Sequence, residues 1–449
     1  MSWQAPLSER IKDIKEYYKY VDNFRVLSPR VIALALRKLQ IAGHSLNMKS
    51  RTSVIEELKK STNSGSPYFT VRRDVLAAIP EYAIQRAGNG MWRYTDVNGS
   101  WSLCATLGWR GQEGGPEVTD VKQRVLWMFP MAANIEELRV YYSVIAACQA
   151  QASVASWMDN DLVDREFTAL LDTKGADTPV ICTDFKGFDQ HFGAGCQNSS
   201  LAILSEMFHH NKEFEEWMDT IYPMKYWIPM CYDVGKFVHG RHGMASGSGG
   251  TNPDETLFHT GLQVGVAAEN GEVLNPHSMC LGDDGVLSYR GISVKQVMDY
   301  YTSFGLEMNS SKQYVSNKAG IYLRRLHHMD YRVNGICVGI YPTMRALTHI
   351  KMLERWNPNI MNRIDLTTRT LSILENCKYH PCGEELVAYV MKGDKYRLGL
   401  NIPGFYDNLD KRFVELSARD DSFLSYSVKQ GNPRLPSTWW VTNVVKRMA

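Results

Sequence analysis

Two short apolar runs, Ser278 to Leu281 and Val286 to Tyr289, flank the tetrapeptide Gly282-Asp283-Asp284-Gly285. No other feature constrains the chain as much. Gly and Asp between strand formers read as the turn of a β-hairpin. Such a turn sets adjacent carboxylates at a strand tip, where they repel each other and gain no burial. A second acidic pair, Asp184 and Asp189, closes the β-rich run TPVICTDFKGFD, which Pro179 and a polar turn bound. A fold that gathers these acids needs a cation to neutralise them, and a divalent metal is the natural candidate. The ordinary alternative is a plain turn, since Asp284-Gly285 suits a hairpin without any metal.

Between the two acidic sites lies a Gly/Ser-rich loop, GMASGSGGTN from Gly243 to Asn252, feeding into a helix. Small residues let backbone and hydroxyls approach a phosphate or sugar, and the helix dipole favours an anion there. A flexible linker has the same composition. Asn252 as N-cap, Pro253 at the first helical position and Glu255 in the third read as a capping box. Upstream, Lys122 and Arg124 alternate, so on a strand both point to one face, where they suit a triphosphate or simply solvent.

Charge and composition narrow the partners. With 50 Lys+Arg against 48 Asp+Glu the formal net charge is +2, which excludes a histone-like or tail-type electrostatic binder. A nucleic-acid partner would require the basic residues to be concentrated in a channel. The 44% hydrophobic and 22% charged content is that of a folded globular protein. Nine scattered cysteines are an odd number in a long chain and point to free thiols in a reducing compartment. The N-terminus has no secretory pattern and no run approaches the roughly 18 apolar residues of a membrane span, so a soluble, cytoplasmic protein is expected.

Helical spacing marks Ile11, Ile14 and Tyr17 or Tyr18, then Arg30 to Leu39, then Ile135 to Met158 and Asn198 to Ile221. From Ser61 to Met131 turn formers dominate, so loops and short strands are expected there. Cys377, His380 and Cys382 resemble half a zinc site, but no fourth ligand is suitably spaced, and they read as core or loop residues.

The order and identity of these motifs resemble the viral RNA-dependent RNA polymerases. Asp184-Phe185-Lys186-Gly187-Phe188-Asp189, Ser246-Gly247 with Thr251-Asn252, and Gly282-Asp283-Asp284 are similar to palm motifs A, B and C. TDF-x-x-FDQHF and SGSG-x-TN are most similar to picobirnavirus polymerases, with those of partitiviruses as neighbours. Thr62 to Pro67 resembles motif G, Lys122 to Val125 with Trp127 to Pro130 motif F, Gly305 to Asn309 through Lys312 motif D, and Tyr322 to Arg325 motif E. Tyr341 to Leu347 is also similar to picobirnavirus sequences.

The resemblance implies an α+β right-hand fold of fingers, palm and thumb, with an antiparallel palm sheet packed on helices. It implies a helical arm over 1–60, fingers over 61–178, palm over 179–197, an insertion returning to the fingers over 198–240, palm again over 241–330, and thumb with a C-terminal segment over 331–449. In the reaction an RNA 3′-hydroxyl attacks the α-phosphate of an NTP and pyrophosphate leaves, a displacement that needs charge neutralisation more than covalent help. Asp184 and Asp283 would bridge two Mg²⁺ ions, replaceable by Mn²⁺, with Asp284 and the Phe185 carbonyl as further ligands. Asp189, Ser246, Gly247, Thr251 and Asn252 would bind the nucleotide and its 2′-hydroxyl. Many relatives carry Asn where this chain has Glu255. Lys122 and Arg124 would grip the triphosphate, and Lys312 is the candidate general acid, with Lys318 its competitor. Ser66 and Pro67 would line the template path, and Arg324 and Arg325 the product strand, Arg325 being equally readable as a structural ion-pair partner. His191 reads as structural.

Expected partners are RNA template and product strands and NTPs, with viral capsid protein a further candidate. No membrane is expected. A monomer in the host cytoplasm, within the virion or a replication complex, fits best, with primer-independent initiation. Gly431 to Met448, through Trp439-Trp440, reads as a base-stacking initiation platform or as a segment docked on the thumb. A reverse transcriptase is disfavoured by Gly282 before the acids and by Asp189, and a non-catalytic RNA-binding protein by the near-neutral charge.

Overall fold

The computed structural model describes residues 5–78, 81–88, 91–112, 117, 122–309, 312–352, 362–420 and 435–449. The amino-terminal segment is helical, as its periodicity implies: α1 (Leu7–Glu16), α2 (Pro29–Leu39) and α3 (Arg51–Glu57). α2 starts where the Ser28 hydroxyl accepts from the Val31 amide with Pro29 at the first helical position, and stops where Gln40 turns left-handed. After α4 (Arg72–Ala78), β1 (Tyr82–Arg86), β2 (Trp92–Asp96) and β3 (Gly99–Ser102) form an antiparallel meander. β4 (Ala105–Gln112) and β5 (Lys122–Met128) form a long hairpin.

The chain is then mainly helical: α5 (Met131–Ala150), α6 (Asn160–Thr173), β6 (Val180–Thr183), α7 (Phe188–His191), α8 (Ala194–Met207), α9 (Lys212–Thr220) and α10 (Met224–Trp227). The helical run from Asn198 to Ile221 is broken in two, because Asn211 caps a new helix through the Phe214 amide at 3.0 Å. Sequence periodicity does not mark α6, whose buried side includes Asp164 and Thr168 among its apolar residues. β7 (Met230–Asp233) and β8 (Lys236–Val238) rejoin the hairpin, β7 lying parallel to β4, so that sheet runs β5-β4-β7-β8.

α11 (Thr251–Glu269) is buried without interruption from Pro253 to Ala267, so it has no solvent stripe and occupies the middle of the core. β9 (Met279–Leu281), β10 (Asp284–Leu287), α12 (Val294–Thr302), β11 (Tyr314–Ser316), β12 (Ala319–Tyr322) and β13 (Arg325–His328) follow. The sheet β11-β6-β10-β9 is antiparallel throughout. Its residues alternate faces as a pleat demands: Val180, Cys182 and Val286 pack on Phe167 and Leu170 of α6, while Ile181 and Leu287 join the main core that contains α11.

The carboxy-terminal helices α13 (Thr343–Lys351), α14 (Arg363–Glu375), α15 (Gly383–Gly393), α16 (Leu409–Asp420) and α17 (Trp440–Arg447) close around a separate apolar core that includes Leu374, Val387, Phe413 and Val444. Trp439 is buried in it, edge-on to Phe413 at 5.4 Å, and Trp440 packs at its margin. Of the two readings of the C-terminal aromatic pair, docking is therefore what the structure contains, and a base-stacking platform is corrected. Residues 431–434, where that segment was expected to begin, lie outside the described residues. Cys377 belongs to the same core, while Cys382 is exposed. Among the described residues no helix is long and apolar enough to cross a membrane.

Candidate active site

β6 ends at Thr183 and delivers Asp184; β10 begins at Asp284. The register pairs Gly285 with Thr183, so one further step along both strands sets Asp284 opposite Asp184. Leu281 already pairs with Asp284. The expected hairpin is therefore present, with Gly282-Asp283 as its two-residue turn rather than Asp284-Gly285. Gly282 has φ +57°, which glycine adopts without steric cost. α11 holds the turn: the Gly282 amide donates to the Thr256 hydroxyl at 3.0 Å, and His259 Nδ1 meets the Gly282 carbonyl at 2.9 Å. Burial pushes the His259 imidazole down to about 4, so it is neutral with its proton on Nδ1. A Cβ on Gly285 would stand 2.6 Å from both His259 Nε2 and Thr183 Oγ1; the second glycine of the motif is a packing requirement.

Gln313 fixes the Asp184 backbone, accepting from its amide at 3.2 Å and donating to its carbonyl at 2.7 Å. The Asn309 amide adds a bond of 3.0 Å to that carbonyl. The segment resembling motif D thus positions Asp184, and Lys312 lies exposed one step before Gln313. Lys318, its competitor, pairs with Asp330 at 3.1 Å. His191 is buried, with Nδ1 2.9 Å from the Gly187 carbonyl and its ring stacked on Tyr20, a structural arrangement.

Electrostatics tie the acids together. Burial raises the Asp283 carboxyl, Asp184 adds to the rise, and Arg124 and Arg324 oppose it. Asp284 is pushed up to about 6 by burial and by Asp283, again against Arg324 and Arg124. Both residues are exposed to solvent, while protein on their other sides withholds hydration. Asp189 is pushed up to about 6 by burial, opposed by a hydrogen bond with Glu255. Burial and the Asp189 charge push Glu255 well above the ordinary range, so Glu255 holds the proton between them. Among the described residues no three His, Cys, Asp or Glu side chains converge as an assembled metal cage would. Asp184, Asp283 and Asp284 nevertheless repel one another, and an all-oxygen donor set under mutual repulsion suits a hard divalent cation.

The Gly/Ser loop lies directly on β5. Ser246 Oγ donates to the Val125 carbonyl at 3.4 Å, and a Cβ on Gly247 would stand 1.7 Å from the Trp127 carbonyl oxygen. Trp127 in turn stacks on His242 and meets Tyr17 edge-on at 5.5 Å. α1 straps this layer from outside, Arg10 donating to the Gln123 carbonyl at 2.7 Å. The capping box expected at Asn252 is corrected: α11 starts two residues earlier, at Thr251, Gly250 is its N-cap, and no side chain caps it. The Ser248 hydroxyl instead accepts from the Gly250 amide at 3.0 Å. Thr251 Oγ1 donates to the Ala245 carbonyl at 3.0 Å. Asn252 is exposed, and its Oδ1 accepts from Trp157 Nε1 at 2.8 Å, which leaves its amide N–H groups for another acceptor.

Arg124 is exposed on β5 and faces the acids electrostatically; the Lys122 side chain lies outside the described residues. Ser66 and Pro67 are half-buried in a loop whose Ser64 carbonyl accepts from the Met131 amide at 2.7 Å. At the tip of the β12–β13 hairpin, Leu323 and Arg324 both adopt positive φ, 50° and 64°, as a two-residue hairpin turn demands. Arg324 is exposed there, whereas Arg325 is buried, its guanidinium gripping both oxygens of Asp164 at 2.8 and 3.0 Å. Of the two readings of Arg325 the structure therefore bears out the ion pair, and a product-strand contact is corrected. Sequence reasoning missed Thr256, His259 and Gln313. A polar residue recurring on a wholly buried helix is the only signal that could have exposed the first two.

Comparison with known proteins agrees with this geometry. The family model described as viral RNA-dependent RNA polymerase matches residues 33–380. A potential RNA-dependent RNA polymerase of human picobirnavirus (strain Human/Thailand/Hy005102/-) is 45% identical over 458 residues, spanning 99% of this chain and 85% of that one. The crystal structure of the RNA-dependent RNA polymerase of a human picobirnavirus superposes with a TM-score of 0.91 at 43% identity, covering 100% of this chain and 85% of that one. The Sicinivirus 3Dpol polymerase shares the fold alone, with a TM-score of 0.59 at 12% identity over 90% of this chain and 89% of that one. The chain is a right-hand polymerase that makes RNA on an RNA template, and it belongs to the family of viral RNA-dependent RNA polymerases.

Proposed function

We propose that the chain joins NTPs to an RNA 3′-hydroxyl by two-metal nucleotidyl transfer, with Asp184 and Asp283 as the main ligands of two Mg²⁺ ions and Asp284 and the Phe185 carbonyl as further ones. The family uses divalent ions; Mg²⁺, with Mn²⁺ as substitute, fits the all-carboxylate set. When bound, the ions would activate the attacking oxygen and neutralise the leaving pyrophosphate. The observation that carries this reading is the β6–β10 register, which brings the acids of two separate motifs to one strand end.

The chain's own groups do the rest. Asp189 accepts from the ribose 2′-hydroxyl, its carboxyl oriented by protonated Glu255, and the Asn252 amide donates to the sugar, with Ser246, Gly247 and Thr251 shaping the floor. Arg124 and Lys122 hold the triphosphate, and Lys312 protonates the leaving pyrophosphate. Ser66, Pro67 and Arg324 guide RNA. Residues 61–178 and 198–240 act as fingers, 179–197 and 241–330 as palm, and 331–449 as thumb, behind an arm over 1–60. Initiation is primer-independent, by a monomer that works in the host cytoplasm within a virion or replication complex beside the capsid protein.

Incorporation of labelled NTPs on a single-stranded RNA template with Mg²⁺ or Mn²⁺ tests the reading. The parent is expected to yield template-complementary product and Asp283→Ala none, at unchanged thermal stability. Full activity in Asp283→Ala would overturn the metal assignment.

A further inference from the structure

Beneath the Gly/Ser loop sits a charged cluster with no access to water. Lys225 on α10, Glu137 on α5 and Asp254 in the first turn of α11 all have fully buried side chains. The Lys225 ammonium stands 3.4 Å from Asp254 Oδ2 and 4.0 Å from Glu137 Oε1, and donates to the Tyr222 carbonyl at 3.1 Å. The Tyr222 ring lies 3.9 Å from it. Glu137 holds the Gly/Ser loop, while Asp254 ties the start of α11 to α5 and α10. Glu137 accepts from the Ser248 hydroxyl at 2.6 Å and the Gly249 amide at 2.9 Å. Asp254 accepts from the Tyr141 and Tyr226 hydroxyls, each at 2.8 Å. Two buried carboxylates without a counter-charge would be expelled or neutralised, and neutral forms would lose part of these bonds. Among the described residues neither carboxylate bonds to Asp184, Asp283 or Asp284; besides Lys225, their partners are Tyr141, Tyr226, Ser248 and Gly249.

We propose that Lys225 is a positioning residue for nucleotide selection: it supplies the buried counter-charge that lets Glu137 and Asp254 clamp the Ser248–Gly249 loop and the start of α11 in register with the incoming ribose. This rests on the reading that Ser246, Thr251 and Asn252 face the nucleotide. The loop that makes those contacts has its own backbone tied to α5 only through Glu137 and, by the Gly249 amide at 2.9 Å, Asn134 among the described residues. A slack loop weakens binding of nucleotide before and during the reaction alike, which raises KM and leaves kcat nearly intact.

The test is steady-state incorporation by Lys225→Met and Ser248→Ala, with the Lys225→Met/Ser248→Ala double variant. Measurements are made well below each variant's unfolding temperature. KM for NTPs is expected to rise about 10-fold and the preference for NTP over dNTP to fall by a similar factor in Lys225→Met, with kcat within about 3-fold. Ser248→Ala should move the same two quantities in the same direction by about 3-fold, and the double variant should be no worse than Lys225→Met, because both cut one linkage. Unchanged KM and unchanged sugar preference in folded variants, with only the melting temperature lowered, would overturn the inference and leave a purely structural lysine. If Lys225→Met does not fold, Ser248→Ala decides by the same readout. A parent protein that incorporates nothing would instead defeat the functional reading itself.

Discussion

The palm sheet and the carboxy-terminal helices are both tightly packed, but by different means. Around β6, β10 and α11 the buried groups include Lys225, Glu137, Asp254, Asp164, Arg325, His259, Thr256 and Gln263, each needing a partner far away in sequence. The carboxy-terminal helices bury polar groups too, among them Asp365, Arg369, Ser372 and Thr442, but their core is made mainly of Leu374, Val387, Phe413, Val444 and similar side chains. An apolar core asks for volume and pattern, and tolerates exchange of residues that keep both. A buried polar network asks for particular atoms, because an unpaired group costs its full desolvation. The layer around β6, β10 and α11 is therefore where substitution should bite hardest, and the bite should reach activity.

The largest effect should come from Arg325→Met. It leaves Asp164 buried with His327 as its remaining side-chain partner among the described residues, 2.9 Å from Oδ1, and removing one partner of a buried pair costs about 3–5 kcal/mol. Denaturant unfolding measures this, and an Arg325→Met cost under about 1 kcal/mol would make the pair no more than surface-like. The effect has a pH signature. Burial works to raise the Asp164 carboxyl, but the His327 hydrogen bond and Arg325 prevail and hold it below its ordinary value. A depressed carboxylate stabilises the fold above its unfolded pKa, and that contribution is lost as pH falls through the folded value. In Arg325→Met the Asp164 carboxyl should rise, so less stability should be lost on the acid side and the gap between parent and variant should narrow as pH falls. Activity should drop too, since β13 carries the Arg324 tip.

Trp439→Ala sharpens the contrast from the other side. Emptying this site in the carboxy-terminal core should cost about 3–4 kcal/mol, comparable to breaking the ion pair. Yet Trp439 faces Phe413 rather than the acids, so de novo initiation per folded molecule should stay as in the parent. A selective loss of primer-independent product, at temperatures where the variant is folded, would restore the initiation-platform reading.

Gly285→Ala should cost less in stability and more in chemistry. Its methyl would press on His259 and Thr183, and overpacking of this kind costs about 1–3 kcal/mol. The relief available is to shift β10 away from β6, and displacement of a reacting group by about 1 Å costs about 100-fold in rate. Incorporation assays on the folded variant check the second figure, and near-parental activity would mean the hairpin has slack.

These cases also explain what the sequence revealed. The acids, the Gly/Ser loop and the hairpin are legible because turn chemistry and strand ends are local. The N-terminal helices are legible because an apolar stripe at helical spacing is local too. α6 was hidden because Asp164 and Thr168 on its buried side are satisfied by Arg325 and by the Cys337 amide, partners that no window along the chain contains. Asn252 read as a cap for the same reason: a local rule was applied where the Ser248 hydroxyl and the tight approach of the loop to α5 and β5 set the helix start instead. Arg325 and Arg324 are neighbours of one residue type, and the end of the turn falls between them: Arg324 sits exposed at the hairpin tip, while Arg325 begins β13 and turns inward to Asp164.

The smallest change makes the sharpest control. Gly393 ends α15 in the carboxy-terminal region, and a Cβ placed there meets nothing within 4 Å. Alanine loses less backbone entropy on folding and is the better helix former, so Gly393→Ala should stabilise by about 0.5–1 kcal/mol. Thermal unfolding reads the gain, and incorporation should not change. Gly285 and Gly393 would then receive the same methyl group with opposite signs, because one backbone lies against a histidine and a threonine and the other against open space. Destabilisation by Gly393→Ala would show that the carboxy-terminal helices also depend on close contacts at this point, and the division between a residue-specific centre around α11 and pattern-specified carboxy-terminal helices would have to be redrawn.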